Sequence, residues 1–175
     1  HVYKYGQIPN KYAIQFSGSP ILFLTCQVDV HQAFLAVAVT GWCRDAKTYV
    51  IDYLRVENKG EGPAYDFRDP SCKGWGELRK IIEESEYVAD DGKKYRIVLT
   101  LIDSGYANDT VAGFCADYSA GVYPIVGRKR PAKAQTIKEF AQFETQIGTV
   151  GYRIIVDHYK DRIAPILRRD WVEES

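Results

Sequence analysis

Two runs of strand-forming residues each end on a single aspartate. ILFLTCQVDV carries Asp29 beside its last residue, and YRIVLTLIDSG carries Asp103 just before its closing Ser-Gly. A carboxylate does not fill a core, since burying even a milder polar group without a partner costs roughly 2–7 kcal/mol. Two such acids on neighbouring strands would form a negatively charged pocket of oxygen donors, the kind that takes hard divalent cations. Two Mg²⁺ or Mn²⁺ ions ~4 Å apart in that pocket would serve phosphodiester hydrolysis, one activating water and the other stabilising the leaving oxygen. Asp29 and Asp103 are therefore read as catalytic and metal-ligating. Taken singly, each is also readable as a cap on the turn that follows it.

The elements that must bring them together follow from composition and period. Strands rich in β-branched and aromatic residues are expected over 21–30, 34–42 and 47–56, joined by short connections into an antiparallel meander. Residues 57–72 read as loop. Trp75, Leu78, Ile81 and Ile82 recur at helical spacing across WGELRKIIEES, and Asp90-Asp91-Gly92 marks a turn. A strand over 95–103 ends at Asp103. Asn108-Asp109-Thr110 offers capping chemistry for a helix over 110–118, and Val122 to Val126 forms a short strand. Residues 134–148 remain open between helix and loop. A strand over 150–156 leads to Asp157, which caps a final helix interrupted at Pro165. Residues 1–20 read as an extended entry segment. The order β-β-β-α-β-α-β-(variable)-β-α predicts one α/β domain over 1–175. Its mixed sheet has three antiparallel strands followed by parallel ones, with helices on both faces. If the second crossover sets strand 95–103 beside strand 21–30, both acids emerge at the carboxyl edge, where such sheets bind ligands.

Lys plus Arg and Asp plus Glu both number 23, so bulk charge does not attract nucleic acid. Any such contact must be local, and Arg128, Lys129, Arg130 and Lys133 form the densest basic segment. Framed by Gly127 and Pro131, it is readable as a loop along DNA phosphates or as an ordinary solvated loop. Lys160 and Arg162 are weaker candidates. Cys26, Cys43, Cys72 and Cys115 show no metal-binding spacing and read as buried thiols of an intracellular protein. No run reaches the ~18 apolar residues of a membrane span. His31 could touch substrate or water near Asp29, although a hairpin histidine is more often incidental. Ser104 lacks a nucleophile-elbow motif. Gly105 suits a tight turn past the acid. The tyrosines, Trp42, Trp75 and Trp171 read as packing anchors. A first residue His1 and the lack of methionine suggest an excised piece.

The segments YGQIPN, CQVDVHQAFLAVAVTGW, TYVIDY, WGELRKIIEE, LIDSGYANDTVAGFC, VYPIVGRK and VDHYKDRIAPIL, in this order, resemble the nuclease domain of lambda-type phage terminase large subunits. The likeness runs from about Tyr5 to about Leu167. It implies an RNase H-like fold that cuts packaged viral DNA with two Mg²⁺ or Mn²⁺ ions. It matches Asp29 to the first-strand acid and Asp103 to the acid of the Ile-Asp-Ser-Gly motif. It further implies duplex DNA as substrate, a small subunit, an ATPase domain and a portal as partners, and the host cytoplasm as location. The family's third acid stands in a Leu-Asp near its far C-terminus, which this sequence lacks before Ser175. Truncation and weak activity of the piece are therefore expected. Asp157 and Asp161 are the acids left to approach the site, each also readable as a cap or a solvated group. The family often has a lysine beside the glycine where Val126 stands, so which basic residue takes that role is open. No GxxxxGK[ST] phosphate loop is present, so no ATPase activity is expected. A resolvase or transposase-like nuclease and a non-catalytic docking module are the competing readings.

Overall fold

In FLAVAVTGW, Leu35, Val37 and Val39 alternate with Ala36 and Ala38, the period of a strand with one buried face. Every second side chain of Phe34–Trp42 is buried. The computed structural model describes residues 21–44, 48–58, 66–89, 92–129 and 140–156. Within them, β1 (Phe23–Val30), β2 (Phe34–Trp42) and β3 (Thr48–Glu57) form the expected antiparallel meander, with Val28 opposite Val37 and Val37 opposite Leu54. Helix α1 (Lys73–Glu84) follows, then a two-strand ribbon of β4 (Tyr87–Val88) and β5 (Lys94–Tyr95). Strand β6 (Ile97–Asp103), helix α2 (Asn108–Ala116) and β7 (Val122–Arg128) make the next crossover unit. A hairpin of β8 (Phe140–Glu144) and β9 (Val150–Ile155) completes a seven-stranded sheet in the order β3-β2-β1-β6-β7-β9-β8. Strands β1, β6, β7 and β9 run parallel. This is the mixed sheet expected of an RNase H-like fold.

The core lies on one side of that sheet. Cys26, Val28, Val30, Leu35 and Val37 meet Trp75 and Leu78 of α1 and Val111, Phe114 and Cys115 of α2 in one buried cluster. Both described helices thus cover the same face. The β4–β5 ribbon extends the cover, packing Tyr95 against Leu24 and Val39. The helix expected after Asp157, like the entry segment 1–20, lies outside the described residues. All four cysteines are buried and none forms a disulfide. Burial pushes the thiols of Cys26 and Cys115 up to about 12, which keeps them neutral and unreactive at physiological pH.

Three local expectations are corrected. Residues 140–144, left open between helix and loop, form β8. Thr145 and Thr149 close its hairpin by a backbone bond of 2.8 Å, and Gly148 takes the left-handed conformation that the turn requires. The ribbon β4–β5 stands where only a turn was expected, because two-residue strands carry no readable period. The Asn108-Asp109-Thr110 cap is not used as one: Ala107 holds the N-cap position and makes no side-chain cap bond. The Thr110 hydroxyl instead donates to the Arg68 carbonyl at 2.5 Å, an acceptor supplied by a distant loop.

Candidate active site

The parallel pairing of β1 with β6 sets the geometry. Cys26 lies beside Thr100, Gln27 beside Leu101 and Val28 beside Ile102. The next residue on each strand is the acid, so Asp29 and Asp103 are lateral neighbours, with strand axes ~4.8 Å apart. Val28 and Ile102 point into the helix-covered core, and alternation therefore turns both carboxylates to the opposite face. Across that face, register aligns Arg55, Ala36, Asp29, Asp103, Ile125 and Tyr152 in one transverse row. Ala36, the smallest member, leaves the Asp29 side of the row open.

Asp29 is 60% exposed, and His31 Nε2 lies 3.0 Å from its Oδ2. The imidazole stacks on Phe34 at 4.3 Å, and the Arg55 guanidinium covers the same ring at 3.8 Å. Beneath Asp29, one column of polar groups stiffens the strand. The Thr40 hydroxyl donates to Gln27 Oε1 at 2.9 Å, Gln27 Nε2 donates to the Thr25 hydroxyl at 2.6 Å, and Trp42 Nε1 donates to that same hydroxyl at 2.8 Å.

Asp103 accepts the backbone N–H of Gly105 at 3.1 Å. The expected role of Gly105 as a turn-former changes in detail, because its backbone lies outside the left-handed region. A Cβ there would stand 3.4 and 3.5 Å from the two Asp103 oxygens, ordinary contact, so what this position gives the acid is its backbone N–H. Ser104 is buried and bonds the Ile125 carbonyl through both its N–H (2.8 Å) and its hydroxyl (2.9 Å). It therefore locks β6 to β7 and offers no exposed nucleophile.

A cluster that sequence reasoning missed stands at the same edge. Phe67 N donates to the Gln32 carbonyl at 3.0 Å, tying the loop before α1 to the turn after β1. Asp66 accepts Arg68 Nε at 2.9 Å, Arg68 Nη2 at 2.5 Å and the Arg68 backbone N–H at 2.9 Å. It also accepts the Tyr106 hydroxyl at 3.1 and 2.9 Å, from the loop after β6. These bonds, led by the Arg68 fork, hold the Asp66 carboxyl well below the usual carboxylate range. The sign for stability follows. The contribution is full above the unfolded value, about pH 4, and fades as pH falls towards the depressed folded value. An Asp66→Asn variant is expected to melt below the parent at pH 7, with the gap closing progressively below about pH 4. Thermal melts across pH 2–8 check this, and a gap independent of pH would contradict it.

Of the basic segment, Arg128 ends β7 and Lys129 follows it, both exposed. Since β7 pairs parallel to β6 with Ile125 beside Asp103, this end of β7 extends past the level of the acids. Arg130, Lys133, Asp157, Asp161, Lys160 and Arg162 lie outside the described residues. Among the described residues no group of three or more His, Cys, Asp or Glu is arranged to hold a metal ion. The donor chemistry of the adjacent pair nonetheless fits: two carboxylates facing solvent side by side are the oxygen ligands that Mg²⁺ and Mn²⁺ take.

The family model for the terminase large subunit gpA endonuclease domain matches residues 7–174. The chain belongs to that family. No curated protein and no solved structure matches it. Membership in the terminase family gives the chain a nuclease role in viral genome packaging and sets aside the resolvase and transposase readings. Among the described residues of this terminase domain, no helix is long and apolar enough to cross a membrane.

Proposed function

We propose that this terminase domain hydrolyses the phosphodiester backbone of duplex DNA, with Asp29 and Asp103 as ligands of Mg²⁺ or Mn²⁺. The observation that carries the reading is the β1–β6 register, which aligns two acids from distant parts of the chain on one solvent-facing edge. Two divalent ions at such a site supply water activation and charge stabilisation of the leaving oxygen. The chain's own part is to hold its donors still before the ions arrive. Gly105 N–H orients the Asp103 carboxylate, His31 contacts that of Asp29, and the Gln27 column stiffens β1 beneath. Asp157 is the proposed further ligand. Arg128 and Lys129, with Arg130 and Lys133, are proposed to lie along the phosphates, which positions a duplex without reading its bases. The small subunit, ATPase domain and portal of the packaging machine are the proposed partners, in the host cytoplasm.

Isothermal titration with Mn²⁺ tests the site directly. Saturable binding at millimolar metal is expected, and Asp29→Asn and Asp103→Asn should each weaken it. An absence of binding by the parent would favour a docking role for this domain.

A further inference from the structure

The acidic edge poses an electrostatic problem for its own substrate. Duplex DNA carries one negative charge per ≈ 1.7 Å of axis, and Asp29 and Asp103 repel it. Before metal binds, donors beside the acids help a phosphate approach, and a donor already held in place binds at lower cost, because an arginine free to rotate loses its entropy on binding. Arg68 is such a donor, its charge matched by Asp66 and its fork fixed by it. Its loop joins the turn after β1 through Phe67 and the loop after β6 through Tyr106, the two strands that end in the acids. Asp66 fixes Nε and one Nη2 hydrogen, the Tyr106 ring lies 5.2 Å from the guanidinium carbon, and Thr110 holds the Arg68 carbonyl. Even so, the side chain is 62% exposed. Three of its five N–H donors are uncommitted to Asp66. A guanidinium so fixed on one edge and open on the other suits a phosphate oxygen pair.

We propose that Arg68 contacts a DNA phosphate beside the Asp29–Asp103 edge, as a substrate-positioning residue held by Asp66 and Tyr106. This rests on the nuclease reading above. A cation at this place grips the backbone from the loop that precedes α1, apart from Arg128 and Lys129 at the end of β7.

The test is the salt dependence of binding to a fluorescein-labelled duplex, measured by anisotropy with the full chain in EDTA, where no metal supports cleavage. Arg68→Gln is expected to bind more weakly and to lower the slope of log affinity against log salt by about 0.9, the value of one phosphate contact. Arg68→Lys keeps the charge without the fork, and should retain the parental slope. An unchanged slope for Arg68→Gln overturns the proposal. So does a slope for Arg68→Lys reduced by one contact, because the loss would then follow the Asp66 scaffold and not the charge. Should Arg68→Gln fail to fold, Arg68→Met, uncharged and of similar length, is read by the same criterion. Asp103→Asn separates this inference from the reading beneath it, since it should lose cleavage while keeping the slope. A parent that binds no duplex overturns both; a parent that binds and cleaves while Arg68→Gln keeps its slope overturns this inference alone.

Discussion

Asp29→Asn and Asp103→Asn should each leave the fold intact and lower cleavage of duplex DNA by about 10²–10³-fold or more, the scale of losing one preorganised electrostatic contact. The fold should survive because neither carboxylate packs in the core. Asp29 is largely exposed, and an asparagine at 103 keeps an oxygen for the Gly105 N–H. The exchange removes charge while preserving shape, which separates chemistry from packing. Because the proposal makes the two acids one unit, the double variant should fall little below either single one. Single-turnover cleavage with Mn²⁺, beside thermal melts, makes the comparison. Cleavage at the parental rate in either variant would sink the assignment of that residue.

Two glycines on one helix should respond to alanine with opposite signs. Gly74 and Gly76 both lie within α1, where alanine is intrinsically favoured over glycine by about 0.8–1.0 kcal/mol. At Gly76 a new Cβ meets nothing within 4 Å, so Gly76→Ala should gain most of that amount. At Gly74 the Cβ would stand 2.2 Å from Phe67 Cζ and 2.5 Å from Cε1. Phe67 cannot retreat, being fully buried, edge-on to Trp75 at 5.5 Å and held by Trp75 Nε1, which donates to its carbonyl at 3.2 Å. Overpacking of this kind costs about 1–3 kcal/mol, occasionally more, and outweighs the helical gain. Each kcal/mol moves the melting temperature by roughly 2–4 °C in a chain of this size. Phe67 stands between Asp66 and Arg68, so Gly74→Ala should also disturb DNA binding, whereas Gly76→Ala should not. Equal shifts in the same direction for both would refute the packing account.

The sheet and its acids were legible wherever a period ran long enough. The alternation within FLAVAVTGW and the stripe of Trp75, Leu78, Ile81 and Ile82 each specify one element with one buried face, and the run into Asp103, apolar on both faces near its end, specifies an interior strand. Short or sparse patterns were not legible: β8 reads FAQFE, only five residues, and each strand of the ribbon has two. The chemistry of the loops was hidden for a different reason. Asp66 and Tyr106 meet only because β1 and β6 pair, and Thr110 finds its acceptor at Arg68 for the same reason. Local composition reports a residue's own turn; it carries no trace of a partner that only the sheet brings near. The Asn108 cap failed for a local reason: the helix starts at Asn108 itself, with Ala107 at the N-cap, and the Asn108 amide donates to Asp109 Oδ1 at 3.3 Å.

If Asp29 and Asp103 form the proposed metal site, the side-by-side alignment of β1 and β6 also governs when the molecule becomes able to act. Parallel pairing between segments so distant in the chain requires a large loop closure, which is slow compared with hairpin or helix formation. The meander can form while the polypeptide is still emerging from the ribosome, but Asp29 then faces water without its companion. Only when β6 has been synthesised and has docked do the two acids become neighbours. A nascent or partly unfolded copy therefore carries two ordinary, harmless aspartates. On the proposed assignment, the capacity to damage a genome arrives together with the finished fold.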